Sequence, residues 1–289
     1  MKQTSSRLMM IASMVVFGTL GPFVRRIPVS SGELALYRAL LAALLIGGYL
    51  LLTRQRLSPR GMKRDVLLLL LSGAAMGVNW ILLFEAYRYT TVSVATLSYS
   101  FAPVLVTAVC PFLFGEPLSP RQLLCSAMST LGLVLITGVC GLSGGRDWVG
   151  VLFGLGAALF YASVILLNKF IQTVSGVHRT FLQFLAAILV LLPYVALSGG
   201  SSLRGMNAAG WACLLVVGLV HTGVTYCLYF SALRELPGQE AALLSYIDPL
   251  VAVAVSVAVL GEPLTALQAI GGAMILGFTL LNEFNAGKR

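Results

Sequence analysis

The sequence predicts an all-α membrane protein with ten transmembrane helices arranged as a 5+5 inverted repeat around a central cavity. Three observations predict it: a scarcity of charge, a series of apolar runs of bilayer-spanning length, and an internal repeat. Of 289 residues, 58% are hydrophobic and 10% charged, against roughly 25% charged in a soluble domain. Mean hydropathy is +0.93. The 30 glycines suit helices packed closely in lipid. A soluble enzyme, a nucleic-acid-binding domain and a disordered chain are thereby excluded. The net charge of +9 does not point to nucleic acid, because the Lys and Arg residues sit in short loops and form no stripe. The five cysteines (Cys110, Cys125, Cys140, Cys213 and Cys227) have no CxxC spacing and lie in or at the ends of apolar runs. They read as small buried hydrophobes, without a metal site or disulfide framework.

A helix crosses the hydrocarbon core with about 20 apolar residues. The runs are 8–27, 31–52, 66–87, 91–113, 120–141, 148–170, 178–198, 208–232, 238–260 and 265–284. Lys2 and Arg7 before the first run resemble the start of a signal peptide. No small-x-small cleavage site closes that run, and the repeat uses it, so it is expected to stay as a span. The longest loop, 53–65, holds Arg54, Arg56, Arg60, Lys63 and Arg64 and belongs in the cytoplasm. With both termini cytoplasmic, the inner loops and tails carry 13 Lys/Arg and the outer loops 5, with Arg38 inside a span.

The second half repeats the first at a shift of 146 residues. Gly115-Glu116-Pro117-Leu118 recurs as Gly261-Glu262-Pro263-Leu264. Pro103 aligns with Pro249, Phe84 with Phe230, Arg88 with Arg234 and Gln122 with Gln268. Over 84–118 against 230–264, 12 of 35 positions are identical without a gap. Phe17-Gly18 and Tyr161-Ala162 form a further pair at a shift of 144. The expected units are 1–143 and 144–289. Each holds five spans, and because five is odd the second starts from the opposite side of the membrane. Inverted repeats of this kind characterise secondary transporters, whose substrate site lies at the midplane between the halves.

The pattern F-x-A-x-R…A-x-L…P…GEPL, present in both halves, resembles the drug/metabolite transporter superfamily in its EamA-like branch of ten helices. The resemblance covers nearly the whole chain. It implies a transporter of the bacterial inner (plasma) membrane for a small metabolite: amino acids, nucleosides, amines and toxic organics are among the family's cargoes. It also implies a cavity lined by the first, third, fourth, sixth, eighth and ninth helices. Export is the direction the resemblance favours, with import of a small metabolite or cation as the alternative.

Polar residues within spans are costly in hydrocarbon and are therefore the site candidates. Trp80, Phe84 and Tyr87 share one helical face, with Asn79 beside them. The repeat places Thr225 and Tyr226 opposite Asn79 and Trp80, as two facing walls of one cavity; the aromatics could equally be packing or interface-belt residues. Tyr99, with the hydroxyl stripe Thr96, Ser100 and Thr107 around Pro103, and Tyr161 with Asn168 extend the set. Tyr246 and Asp248 precede Pro249, where the helix is expected to be interrupted. The repeat partner of Asp248 is Ala102, so its charge breaks the internal symmetry. A carboxylate there can bind a substrate ammonium or exchange a proton for it; the plainer reading is a bridge to a neighbouring helix. His221, at i, i+4, i+8 spacing with Thr225 and Tyr229, is the second candidate proton carrier, although a histidine bonded between helices is the plainer reading. Arg38 is read as structural, snorkelling outward or pairing with Glu33 or Glu85. Glu85 is read as the partner of Arg88 at i+3. Glu116 and Glu262 are read as stabilising the starts of the fifth and tenth spans.

An enzyme of another class is the remote alternative. Gly141-Leu142-Ser143-Gly144 matches the G-x-S-G pattern of rhomboid-like intramembrane proteases, with His221 as a base, but Gly145, Arg146 and Asp147 make it a surface turn. No phosphate-binding loop or HExxH motif occurs, so the expectation is no enzyme, no cofactor and no metal, with a proton or substrate gradient as energy source. Expected partners are the small-molecule cargo, membrane lipid and possible protons; monomer and homodimer stay open. A green fluorescent protein fused after Arg289 is expected to fluoresce and alkaline phosphatase at the same position to stay inactive; the opposite pair of results overturns the orientation.

Overall fold

The computed structural model of the protein describes residues 2–54, 62–114, 120–137, 147–171, 174, 176–198, 203–235 and 244–286. Among the described residues, all regular structure is helical and there is no strand. In chain order the helices are α1 (Lys2–Gly18), α2 (Leu20–Arg25), α3 (Ser31–Leu52), α4 (Met62–Tyr89), α5 (Val92–Tyr99), α6 (Ala102–Phe114) and α7 (Pro120–Thr137). They continue as α8 (Asp147–Phe170), α9 (Gly176–Leu197), α10 (Ala208–Leu215), a π-helix (Val216–Val224), α11 (Thr225–Glu235), α12 (Ile247–Leu260) and α13 (Ala266–Ala286).

Among the described residues, six stretches are long and apolar enough to cross a membrane: Thr4–Arg25, Ser31–Leu52, Asp65–Tyr89, Asp147–Asn168, Gly176–Leu197 and Ala208–Tyr229. Val92–Val106, Ile247–Leu260 and Ala266–Phe278 are shorter apolar helices. Many large apolar side chains point outward, Leu52, Phe112 and Leu197 almost fully. Water would penalise such a surface, and lipid would not. The chain is an integral membrane protein.

Side chains satisfy the free N–H groups at several helix starts. Ser30 and Glu33 form a capping box on α3, Thr91 accepts from Val94 N–H on α5, and Asn207 accepts from Gly210 N–H on α10. Gly261, at φ 65°, ends α12 in the left-handed region that glycine adopts without strain.

Several runs expected as single helices are interrupted. The first breaks at Thr19, whose N–H reaches Val15 and Val16 carbonyls while its hydroxyl donates to Val16 O. The fourth breaks at Ser100–Phe101 and the ninth at Tyr246, so Pro103 and Pro249 each fall in the first turn of the following helix. A proline ring collides with the carbonyl four residues back and has no N–H to donate. Placing the break between Tyr99 and Pro103, and between Ser245 and Pro249, removes both conflicts. The eighth run changes pitch, because Val216–Val224 is wound as a π-helix. The fifth run is described to Thr137, and the ninth from Leu244.

The main core gathers α3, α4, α8, α9 and the π-helix around Ile46, Phe84, Phe184, Leu191 and Val217, all fully buried or nearly so. α4 packs against α8 and α9, α3 against α9 and the π-helix, and α1 against α11 and α12. α5 and α6 lie on α8, α5 also meets α12, and α7 pairs with α13. Gly132 makes the last pair possible: a Cβ there would lie 2.6 Å from Gly271 O and 2.9 Å from Met274 Cβ. Close backbone approach between helices in lipid needs such small residues. Gly132→Leu is expected to separate α7 from α13 and destabilise the protein by about 1–3 kcal/mol, as overpacking does; an unchanged melting temperature in detergent would show that the two helices do not depend on this contact.

Candidate functional site

A cavity of about 550 Å³ lies between α1, α2, α3, α4, α5, α6, α8, α9, α11 and the start of α12. Its size suits a small metabolite. Aromatic rings line much of it and are joined in edge-to-face sequence through Phe184, which is buried behind them. Trp80 meets Phe184 at 5.6 Å, Phe184 meets Tyr226 at 5.4 Å, and Tyr226 meets Phe17 at 5.1 Å, with Tyr229 next at 6.3 Å. Tyr99 and Tyr161 face each other at 5.2 Å on the α5 and α8 side. Edge-to-face contacts match ring edges to ring faces and hold the wall rigidly.

Polar groups are placed at intervals around this wall. Asn79 donates from Nδ2 to Ala157 O at 2.6 Å, which ties α4 to α8. Tyr87 and Thr96 hydroxyls lie 3.4 Å apart. At one end Gln183 donates both amide protons, to Ser72 Oγ at 2.7 Å and Asn168 Oδ1 at 2.9 Å. Beside it Arg179 donates to Ile171 O and Val174 O, both at 2.8 Å, and so supplies donors to carbonyls beyond the end of α8. Asp248 lines the cavity half-buried in the first turn of α12, next to the buried Pro249. Among the described residues none hydrogen-bonds or ion-pairs its carboxylate. Gly18 lets α12 come this close to α1, since a Cβ there would sit 2.7 Å from Asp248 O.

Of the expected site residues, Asn79, Trp80, Tyr99, Tyr161, Tyr226, Tyr246, Asp248 and Pro249 all line the cavity. Thr225 does not. It is 1% exposed, and its hydroxyl donates to Val220 O at 2.7 Å. That bond spans five residues and follows the π-helical winding of Val216–Val224. His221 packs instead at the break between α1 and α2, with Nε2 3.1 Å from Thr19 Oγ1 and its ring 4.9 Å from Phe23. Pro103 opens α6, and its side chain, with those of Thr107 and Cys110, lies outside the described residues. So do Cys140, the first GEPL turn with Glu116, and the Gly141–Gly144 segment with Ser143.

Two further expectations are corrected. Arg38 does not snorkel: it is 3% exposed, lines the cavity, and donates from Nε to Thr222 Oγ1 at 3.0 Å, with its guanidinium 4.5 Å from the Trp80 ring. Glu262 caps a helix, but not the tenth span: it accepts from Val92 N–H at 2.7 Å at the start of α5 in the other half. It also accepts from Ser256 Oγ and forms an ion pair with Arg25 at 2.7 Å. Glu85 accepts from Ser31 Oγ and pairs with Arg88 at 3.3 Å, as its spacing suggests. Phe17, Gln183, Thr180 and Arg179 also line the cavity and were not singled out by sequence. For Gln183 the signal was present, a polar amide inside an apolar run; Arg179 counted only as a loop charge.

An all-helical membrane protein with an aromatic and polar cavity at its centre has the build of a transporter. The EamA-like transporter family model matches residues 4–138 and again 148–283. The chain belongs to that family, and it is a transporter, not an enzyme. It is 32% identical over 277 residues to the uncharacterized transporter YxxF of Bacillus subtilis (strain 168), covering 95% of this chain and 88% of that protein. It is also 32% identical over 198 residues to an uncharacterized transporter of Archaeoglobus fulgidus, covering 68% of each. A crystal structure at 17% identity shares the fold, with a TM-score of 0.68 over 99% of both chains.

Glu262 separates two kinds of stabilisation. The Arg25 partner is 36% exposed, so the ion pair is worth about 0–1 kcal/mol, whereas loss of a helix cap costs about 0.5–2 kcal/mol. Glu262→Ala is therefore expected to lower the melting temperature more than Arg25→Ala, although the latter also removes the Arg25 bond to Thr90 O; equal losses would show that the cap on α5 does not dominate the contact.

Proposed function

We propose that the protein is a secondary transporter that moves a small amphipathic metabolite bearing an amino group across the bacterial inner membrane by alternating access. Residues 1–143 and 144–289 form the two inverted halves of ten helices, with both termini cytoplasmic. The family model's separate match to each half supports this. So does the exchange of packing partners: α4 on α8 has its counterpart in α11 on α1, and α4 on α9 in the π-helix on α3. The breaks at Ser100–Phe101 and Tyr246 coincide under the 146-residue shift, which supports it further. In this orientation Arg25, Glu262 and Val92 lie at the outer end, and Asn168, Arg179 and Gln183 at the inner mouth.

The observation that carries the substrate class is Asp248, a carboxylate on an aromatic cavity wall with no partner among the described residues. An ammonium group satisfies both surroundings, through the carboxylate and through cation–π contact with the rings. The same carboxylate carries a proton when the cargo is absent, which couples export to the proton gradient. Asn79, Trp80, Tyr99, Tyr161, Tyr226 and Tyr246 hold the remainder of the cargo. His221, off the cavity, is left as a secondary candidate for proton transfer.

Purified protein in proteoliposomes, screened against amino acids, polyamines and quaternary amines with and without a pH gradient, tests this. Asp248→Asn is expected to lower cargo affinity about ten- to a hundredfold, the range for one charged hydrogen bond, and to abolish stimulation by the gradient. Equal rates with and without the gradient in the parent protein overturn the coupling, and equal affinities in parent and variant remove Asp248 from the substrate site.

A further inference from the structure

We propose that Arg38 is the carboxylate-binding residue of the cavity, so that the cargo carries a carboxylate as well as an amino group. The inference rests on the transport reading above and narrows its substrate class.

Arg38 sits midway along α3 and is 3% exposed, yet it borders the cavity. A guanidinium enclosed in this way has to have its charge and its donors accounted for. The charge is met from one side by π-faces: the Trp80 ring centre is 4.5 Å away and the Phe84 ring centre 5.2 Å away. One donor is also accounted for. Nε gives its proton to Thr222 Oγ1 at 3.0 Å. Thr222 can only accept there, because its own hydroxyl proton goes to Val217 O at 2.8 Å. That last bond spans five residues and follows the π-helical winding of Val216–Val224. The ring contacts and the Nε bond together fix the guanidinium. The four N–H groups on its two Nη atoms are donated to no described residue.

Arg38 thus offers a held, planar fork with free donors on the border of a cavity built for a small molecule. Two parallel N–H groups match the two oxygens of a carboxylate. Phosphate shares the fork geometry, but charge selects against it. Arg179, the other cation of the lining, has donors on the Ile171 and Val174 carbonyls, so a dianion would meet Asp248 with only the Arg38 fork free to hold it. A zwitterion with its carboxylate on Arg38 brings its own positive charge and adds no net charge to the cavity. Arg38 and Asp248 form no ion pair among the described contacts, so each remains available to cargo.

The test uses full-length purified protein and two ligand sets. The first is leucine, leucinamide, 3-methylbutylamine and 4-methylpentanoate, and the second is the matching tyrosine series. Affinities are read by isothermal calorimetry on the parent protein, Arg38→Lys and Arg38→Gln. Lys keeps the cation over Trp80 but loses the fork. The parent is expected to bind the amino acid about ten- to a hundredfold more tightly than its amide, the range for a hydrogen-bonded charge. In both variants that ratio is expected to collapse toward one, while affinity for the amide and the amine stays within about threefold of the parent, which a merely structural loss would not permit. A ratio retained in either folded variant overturns the inference. If neither variant folds, the parent's own ratio decides. A parent that binds amines and amides as well as amino acids overturns the inference and leaves the amine-transport reading standing. A parent that binds none of the eight compounds removes both.

Discussion

A polar group surrounded by hydrocarbon has to be satisfied from within the protein, and the central cavity depends on how this chain meets that demand at its helix breaks. Every interruption exposes carbonyls and N–H groups that an unbroken helix would pair. At Thr19 the residue's own hydroxyl and N–H return to the preceding turn. At Ser100 the hydroxyl donates to Thr96 O. At the start of α5 the Glu262 carboxylate arrives from the other half of the chain. The breaks next to Pro103 and Pro249 let α5, α6 and α12 approach the cavity with Tyr99, Tyr246 and Asp248 on their ends, where a straight helix would carry them past it.

Arg38 and Asp248, two of the charged residues bordering the cavity, are held differently. Arg38 is wedged between aromatic faces and a threonine whose own hydroxyl is already committed, so its plane is held. Asp248 is half-buried in the first turn of a helix, where free N–H groups and the positive end of the helix dipole favour negative charge. Neither charge neutralises the other in the described contacts. A cavity with two such charges and a wall of tyrosines discriminates by polar pairing, whereas a purely aromatic one would accept apolar molecules by shape alone.

The two ends of the helix bundle are tied by different chemistry. Glu262 joins α2, α5 and α12 through an ion pair and a backbone cap. At the opposite end Arg179 and Gln183 bridge α8, α9 and α4 through carbonyls and amides. In the alternating-access reading proposed above, opening either end means breaking its own set of bonds. Each set is a few hydrogen bonds, a barrier small enough to be exchanged for the equivalent contacts of another conformation.

How much of this was legible before the structure follows from range. Composition and apolar run length determined that the chain is helical and lies in a membrane, because lipid leaves the backbone no other local solution. Local chemistry around proline made an interruption before Pro249 legible. The polar exceptions within apolar runs picked out Asn79, Trp80, Tyr226 and Asp248, since in hydrocarbon each such residue needs a reason. What escaped was whatever depends on a partner distant in sequence or on helix phase. Arg38 looked structural until Trp80 and Thr222 were brought around it. Glu262 looked like a local cap until Val92, 170 residues away, supplied the N–H. Thr225 turns its hydroxyl back to Val220 O, and His221, whose plainer reading was a histidine bonded between helices, meets Thr19 some 202 residues away; a helical period names neither partner. Burial of apolar surface in lipid is a property of each segment and can be read from it. The direction a polar side chain faces is settled by the partner it finds, and only the folded chain brings that partner within reach.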